Sequence, residues 1–134
     1  MKKNLNIEET FDLAVKNHKN KNFHVAEDLY KKILEINPNS AGVHYNLGIL
    51  YKELEKNQKT INCYEKAIQI DPNYTQAHIN LGMVFEEIGD LQKALNCFQM
   101  AINIQADNAD AYNNQGLVFK KIGEYQKAQS SYKK

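Results

Sequence analysis

HYNLGILY at residues 44–51, HINLGMVF at 78–85 and YNNQGLVF at 112–119 are three versions of one stretch. Each version begins 34 residues after the previous one. A fixed period of this length is typical of stacked supersecondary units, none of which can bury its apolar face alone. The period therefore predicts a chain of repeats that presents a long continuous surface rather than a deep catalytic pocket.

The unit that repeats is predicted to be two helices joined by short turns. Across residues 41–53, one helical face carries the recurring residues His44, Leu47, Gly48 and Tyr51. A second helix is predicted from about residue 58 to residue 70. Pro72 ends the unit, because proline cannot continue a helix.

The same spacing divides the chain into a tail and four repeats. Residues 1–6 are the tail, and the repeats are predicted at 7–40, 41–74, 75–108 and 109–134, the last of them incomplete. The last repeat keeps the spacing with Gly116, Phe119, Ala128 and Tyr132. Each first helix carries a small residue, namely Ala14, Gly48, Gly82 or Gly116. Since glycine inside a helix costs about 1 kcal/mol relative to alanine, its recurrence predicts a close approach of the paired helix.

This pattern resembles the tetratricopeptide repeat, whose 34-residue unit combines Leu-Gly, aromatic and alanine positions with a closing proline. The resemblance covers residues 7–134. Its local departures are His44, His78 and Tyr112 at the usual tryptophan, Thr60 at a small alanine, Ala106 at the proline and Gln115 at the leucine. It implies an all-α fold, a right-handed α-solenoid of stacked helix-turn-helix repeats without strands.

The composition argues against several classes of function. The formal net charge of +1 lacks the basic excess of a nucleic-acid or anionic-membrane binder. No stretch is long and apolar enough to span a bilayer, and no secretory signal is recognised at the N-terminus. Cys63 and Cys97 occupy the same position in successive repeats, which is too far apart for a disulfide. Free thiols are expected, and with them a cytoplasmic location.

No motif for catalysis or metal binding is found. The sequence has no HExxH, no pair of Cys-x-x-Cys motifs, no G-x-S-x-G and no glycine-rich phosphate loop. His44 and His78 stand at the aromatic packing position, which favours a structural role. Residues 107–110 lack the glycine and glutamate of a calcium loop and are interpreted as a helix cap. We expect a protein that is not an enzyme and that uses no cofactor or metal.

Three ladders of side chains recur along the first helices. The polar ladder is Asp12, Asn46, Asn80 and Asn114. Three residues later comes an apolar ladder of Val15, Ile49, Met83 and Leu117, and four beyond those a charged ladder of Lys19, Glu53, Glu87 and Lys121, with Lys52 beside Glu53. Offsets of three and seven place the ladders on one helical face.

In the family that the chain resembles, the first helices line the concave side of the stack, which implies that the ladders lie in a groove. Asparagine amides both donate and accept hydrogen bonds, so a column of them can bind the peptide groups of an extended chain. This is similar to the asparagine ladder of O-linked N-acetylglucosamine transferase. The alternative explanation is packing between repeats. Co-chaperone repeats grip a C-terminal carboxylate with a different residue set, of which only Asn46 is matched here, so that clamp is not expected.

The leading hypothesis is a scaffold or interaction module that binds an extended peptide of a protein partner along the groove. The residues predicted to bind the partner are Asp12, Val15, Asn46, Ile49, Lys52, Asn80, Met83, Glu87, Asn114, Leu117 and Lys121. One alternative is the recognition arm of a larger glycosyltransferase or sulfotransferase that continues beyond Lys134. The other is head-to-tail self-association through the incomplete last repeat.

Overall fold

The computed structural model describes residues 5–132, with side chains as far as residue 127. Over this range the chain forms seven helices and no strand. They are α1 (Ile7–Lys19), α2 (Phe23–Ile36), α3 (Ala41–Glu53), α4 (Asn57–Ile70), α5 (Thr75–Glu87), α6 (Leu91–Ile104) and α7 (Ala109–Tyr132). The prediction of an all-α fold is confirmed for these residues. None of the helices described is long and apolar enough to cross a membrane.

Short polar side chains cap several helix starts. The Asn6 side chain accepts a hydrogen bond from the Glu9 backbone N–H at 2.7 Å, and Ser40 accepts one from Val43 at 3.4 Å. Asn108 accepts from the Ala111 N–H at 3.0 Å, so the run at 107–110 does cap a helix. These bonds satisfy N–H groups that have no partner inside a helix.

The same tight turn follows α1, α3 and α5. The backbone N–H groups of Asn22, Lys56 and Asp90 each donate to the carbonyl five residues earlier, at 2.8, 2.9 and 2.9 Å. The residue before each donor has a left-handed backbone: φ is 63° at Lys21, 59° at Glu55 and 88° at Gly89. This is the Schellman turn that ends many helices. It reverses the chain and sets the second helix of each pair beside the first.

The chain divides into two compact units, the first ending at Pro72 and the second beginning at Asn73. In the N-terminal unit, α1 packs against α2, α2 against α3, and α3 against α4. Its central buried cluster consists of Ala14, Ala26, Tyr30, Ile33, Val43, Leu47, Leu50 and Tyr51. In the C-terminal unit, α5 packs against α6, and α7 contacts both.

Two of the recurring glycines lie directly against an aromatic ring of the paired helix. A Cβ atom on Gly48 would lie 2.5 Å from Cε1 of Tyr64, and one on Gly82 would lie 2.7 Å from Cε1 of Phe98. Since a side chain at such distances would force the ring to move, these positions favour glycine. The close approach predicted from the sequence is therefore found in both helix pairs.

The last helix differs from the helix-turn-helix pattern predicted for residues 109–134. α7 runs without a break from Ala109 to Tyr132, and a Cβ on Gly116 would meet nothing within 4 Å. Phe119 is 56% exposed, whereas Phe85, one repeat earlier, is 7% exposed. The reason is that no helix of the described residues covers this side of α7. The side chains of Ala128 and Tyr132 lie outside the part that the structure describes.

Candidate functional site

A cavity of about 680 Å³ opens on the N-terminal unit, at the end of α1 and the facing side of α3. Because α2 packs against both of these helices, their side chains face a common space. The lining residues are Val15, His18, Lys19, Lys21, Phe23, Tyr30, Asn46, Ile49 and Glu53. Three predicted binding residues, Val15, Asn46 and Ile49, therefore meet in one cavity.

An aromatic cluster forms one wall of the cavity. The His18 ring packs edge-on against Phe23, with centroids 5.9 Å apart, and against Tyr30 at 6.4 Å. The Asn46 side chain forms a hydrogen bond with the Tyr30 hydroxyl. Burial raises the pKa of Tyr30 to about 12, against the opposing effect of the Asn46 bond, so the phenol stays protonated at neutral pH.

The charged groups of the cavity are unequally partnered. His18 Nε2 lies 2.9 Å from Glu53 Oε2, so the carboxylate already has a partner within the protein. Neither Lys19 nor Lys21 forms an ion pair within residues 5–127. Two cationic side chains are thus left to attract an external group, while the acidic one is engaged.

The C-terminal unit has an ion pair at the corresponding positions, two periods further along the chain. Lys121 Nζ on α7 lies 3.0 Å from Glu86 Oε1 on α5. The positions are those of Glu53 and His18, but here the carboxylate stands at the position of His18 and its partner at the position of Glu53. Beside this pair, the apolar ladder is open to solvent, with Met83 41% and Leu117 53% exposed.

Sequence models of the tetratricopeptide repeat match this chain at residues 41–74 and 63–96, and a model described as TPR repeat matches residues 87–123. Together the matches span residues 41–123, more than half of the 134 residues. The chain belongs to the tetratricopeptide-repeat family. A comparison with curated proteins gives no match.

Several solved structures have the same fold. MamA is 25% identical with a TM-score of 0.82, over 96% of this chain and 75% of MamA. The first TPR of Spaghetti (RPAP3), bound to the HSP90 peptide SRMEEVD, is 18% identical with a TM-score of 0.81, over 87% of this chain and 93% of that one. The Sgt2 TPR domain from Aspergillus fumigatus is 20% identical with a TM-score of 0.82, over 90% and 82%. Because the Spaghetti (RPAP3) and Sgt2 repeats are less than 25% identical to this chain, their similarity shows the fold alone.

Two asparagines of the polar ladder in this tetratricopeptide-repeat chain have partners inside the protein. Asn46 bonds to Tyr30, and the Asn80 side-chain oxygen accepts from Gln76 Nε2 at 2.8 Å within α5. Asn114 is half-buried on α7. The asparagine ladder remains a prediction, and part of its hydrogen-bonding capacity is used by bonds to Tyr30 and Gln76.

The other predicted binding residues differ in how far they are exposed to solvent. Asp12 is exposed on α1 and does not line the cavity, Lys52 is half-buried, and Glu87 is exposed. Residues 5–127 contain no group of three His, Cys, Asp or Glu side chains that could hold a metal ion.

Six cavity residues were absent from the predicted binding set: Lys19 and Glu53, which were named only in the charged ladder, and His18, Lys21, Phe23 and Tyr30. Phe23 and Tyr30 fit the repeat spacing as core residues, and nothing in that spacing distinguishes a core ring from a cavity wall. Lys21 lies in a turn whose equivalents are Glu55 and Gly89, so no side-chain type recurs there. His18 has a signal of its own, since it stands beside the charged ladder.

The two cysteines of this repeat protein are free thiols, as predicted. Burial raises the pKa of Cys63 to about 11, which keeps the thiol protonated at neutral pH. Because the thiolate is the nucleophilic form, Cys63 is poorly suited to covalent chemistry.

Proposed function

We propose that this chain is a protein-interaction module that binds an extended peptide of a partner along the first-helix face. The cavity of the N-terminal unit is its anchoring site. The observation that carries the proposal is the cavity itself, whose volume of about 680 Å³ lies within the range of about 300–1,000 Å³ usual for ligand pockets. It also contains residues of both the asparagine and the apolar ladder.

The chemistry of the lining selects the kind of peptide. Val15, Phe23 and Ile49 offer apolar contact, and Lys19 and Lys21 offer positive charge. The cavity therefore suits a segment with one apolar side chain next to an acidic residue. The RPAP3 repeat, which shares this fold, was solved with the peptide SRMEEVD, in which a methionine precedes two glutamates.

The first-helix face of the C-terminal unit offers a second area of contact. Met83 and Leu117 are exposed there, with Asn114 on the same face of α7. An asparagine amide recognises a peptide group rather than a side chain. This arrangement favours binding of a backbone with little regard to its sequence, whereas the cavity reads one side chain.

The proposal is tested with an array of peptides that contains acidic, basic and neutral members around one apolar residue. The full chain is applied to the array, and affinities of the best peptides are measured by fluorescence anisotropy. Ile49→Arg fills the cavity and is expected to weaken binding at least about tenfold, because burial of one apolar side chain contributes about 1.5–3 kcal/mol. Val25→Arg, at an exposed apolar residue of α2 outside the cavity, is the matched control.

Charge reversal tests the preference for acidic peptides. The double variant Lys19→Glu, Lys21→Glu is expected to shift the preferred peptides from acidic to basic. The control is the double variant Lys16→Glu, Lys32→Glu, which changes the net charge by the same amount at exposed positions that do not line the cavity. If both double variants shift the preference equally, the effect comes from overall charge, and the cavity is not the site.

The ladder is tested separately. Asn114→Ala combined with Asn80→Ala is expected to leave helicity unchanged and to weaken peptide binding. Asn113→Ala, at the exposed neighbour on α7, is the control. Unchanged affinity in the double variant removes the ladder from the proposal and leaves the cavity to be judged by Ile49→Arg.

A further inference from the structure

One stripe of α7 combines aromatic rings with glycines and is open to solvent. Tyr112 and Phe119 on this stripe are 49% and 56% exposed. Gly116 lies between them and Gly123 beyond them, and a Cβ built on either glycine meets no atom within 4 Å. Since an α-helix turns by about 100° per residue, the four residues face the same way. Among the described residues, no helix covers the glycines of this stripe.

The earlier helix pairs show what such a glycine accepts. Gly48 and Gly82 each lie against an aromatic ring of the next helix, with a built Cβ 2.5 Å from Tyr64 and 2.7 Å from Phe98. The tight turn between the two helices of each pair makes them antiparallel. A ring seated on a glycine of an antiparallel helix is therefore the way in which this protein brings helices close together.

The stripe of α7 is complementary to itself. Tyr112 and Gly123 are equally far from the midpoint between residues 117 and 118, and so are Gly116 and Phe119. When a second α7 lies antiparallel across the first with the midpoints together, each ring of one helix comes level with a glycine of the other. A parallel pair would set ring against ring and glycine against glycine, which packs poorly.

We propose that two copies of this chain form a two-fold symmetric dimer in which their α7 stripes pack antiparallel. Tyr112 of each copy lies on Gly123 of the other, and Phe119 lies on Gly116. The same patch is used on both molecules, so the interface is isologous and closes at two chains. The unbroken course of α7 past Gly123 is part of the site, because it brings this glycine level with the ring of the other copy.

Charge and size are consistent with a weak dimer. The lysines nearest the stripe, Lys120 and Lys127, come level with Gln115 and Asn108 of the other copy, so neither lysine faces a like charge. An aromatic side chain buries about 150–250 Å² in full, and the four half-exposed rings of a dimer therefore cover about 300–500 Å². With the side chains around them the interface stays below about 1,200 Å², the size of weak and transient complexes. The dimer is expected to dissociate on dilution.

A second copy fits the stripe better than an unrelated helix does. A helix of another protein would need rings and glycines at this same spacing, whereas a second copy has them by symmetry. The dimer also goes beyond peptide binding and does not depend on it. Leu117 and Lys121, which belong to the ladders of the proposed peptide face, lie on the far side of α7 from the stripe. Both surfaces can be occupied at once.

Analytical ultracentrifugation of the full chain without peptide tests the dimer. We expect an equilibrium between one and two chains at concentrations from about 5 to about 500 µM, where weak complexes become populated. A chain that stays monomeric at the highest concentration overturns the proposal. A mass that continues to grow beyond two chains also overturns it, because open head-to-tail association does not close.

Loss of one ring tests whether the stripe is the interface. Phe119→Ser is expected to weaken dimerisation at least about tenfold, since one substitution removes two buried rings from a symmetric interface. Tyr125→Ser, at a 64% exposed ring of α7 outside the stripe, is the matched control and is expected to dimerise like the unaltered chain. An equal loss in both variants means that the stripe is not the interface.

An exchange of ring and glycine tests the register. Gly116→Phe alone sets ring against ring, and Phe119→Gly alone leaves a gap, so each is expected to weaken dimerisation at least about tenfold. The double variant Gly116→Phe, Phe119→Gly has the original composition and again places each ring level with a glycine. It is expected to recover dimerisation to within about threefold, and circular dichroism checks that all three variants keep their helicity. A double variant as weak as the single variants overturns the antiparallel register.

Discussion

Replacing Gly48 by alanine is expected to destabilise the protein, although alanine is the better helix former. The added methyl carbon would lie 2.5 Å from Cε1 and 2.6 Å from Cδ1 of Tyr64. Tyr64 is 2% exposed, so its ring cannot move aside without displacing its buried neighbours. The substitution therefore tests whether the recurring glycine is required by packing.

The magnitude follows from two opposing effects. Alanine in a helix interior is favoured over glycine by about 1 kcal/mol. Overpacking a close-fitting core by one carbon costs about 1–3 kcal/mol. We expect the second effect to dominate, with a net loss of about 1 kcal/mol in the free energy of unfolding.

The same helix provides the control. Gly42 lies six residues earlier in α3, and a Cβ built there meets nothing within 4 Å. Gly42→Ala is expected to stabilise the protein by about 0.5–1 kcal/mol, because only the helix preference remains. Urea unfolding of the three proteins, followed by circular dichroism, gives the free energies.

The two substitutions should therefore shift the unfolding midpoint in opposite directions. If Gly48→Ala stabilises as much as Gly42→Ala, the close approach to Tyr64 does not constrain this position. A third variant locates the cause. In a Tyr64→Leu background, Gly48→Ala should lose most of its penalty, which a double-mutant cycle measures as a coupling energy between the two residues.

Three further predictions concern groups outside the cavity. Tyr51→Phe removes the hydrogen bond that the hydroxyl donates to Glu27 Oε2 at 2.5 Å, and we expect a loss of about 1.5–3 kcal/mol at neutral pH in urea unfolding. The bond from Tyr51, more than the nearby Lys31, holds the pKa of Glu27 below its ordinary value of 4.5. The stabilisation by ionised Glu27 is therefore complete above pH 4.5 and is lost as the pH falls through the lower folded-state pKa. Acid titration of the Glu27→Gln variant should show a flatter loss of stability in this pH window. Burial raises the pKa of Cys63 to about 11, so alkylation of this thiol should be slow at neutral pH. The alkylation rate should rise about tenfold per pH unit towards that value, because only the thiolate reacts. A rate that levels off near neutral pH would contradict the raised pKa.

The sequence contained most of the information needed for the helices. The face repeated every 34 residues predicted a helix over 41–53, and α3 runs from Ala41 to Glu53. The glycine of that face predicted close contact, which Tyr64 makes. These features are predictable because each one follows from the spacing of side chains along a single helix.

The cavity was only partly predictable, because some of its residues do not recur at the 34-residue spacing of the repeats. Ile49 and Asn46 follow the ladders, but Lys21 comes from a turn and Tyr30 from a second helix. Their meeting requires the packing of α2 against both α1 and α3. A pattern read along one helix does not contain that arrangement.

The path of α7 shows a second limit. Gly123 stands at the position of Gly89, and the repeat pattern predicts a helix-turn-helix for residues 109–134. A left-handed residue permits a turn, but packing of the following helix is what holds it in place. The structure has a continuous helix, so the path of the chain here depends on contacts rather than on residue 123 alone.

The carboxylate stands on the second helix of one pair and on the first helix of the other, which has a consequence for how such chains can be rearranged. His18 faces Glu53 in the N-terminal unit, while Glu86 faces Lys121 in the C-terminal unit. A recombined chain in which α5 preceded α3 would bring Glu86 against Glu53, and one in which α1 preceded α7 would bring His18 against Lys121. Each hybrid would lose the contact between its partners, and the first would place two carboxylates together. The repeats of this protein are therefore alike in shape but not interchangeable in order, and a shuffled array would need compensating substitutions at these four positions.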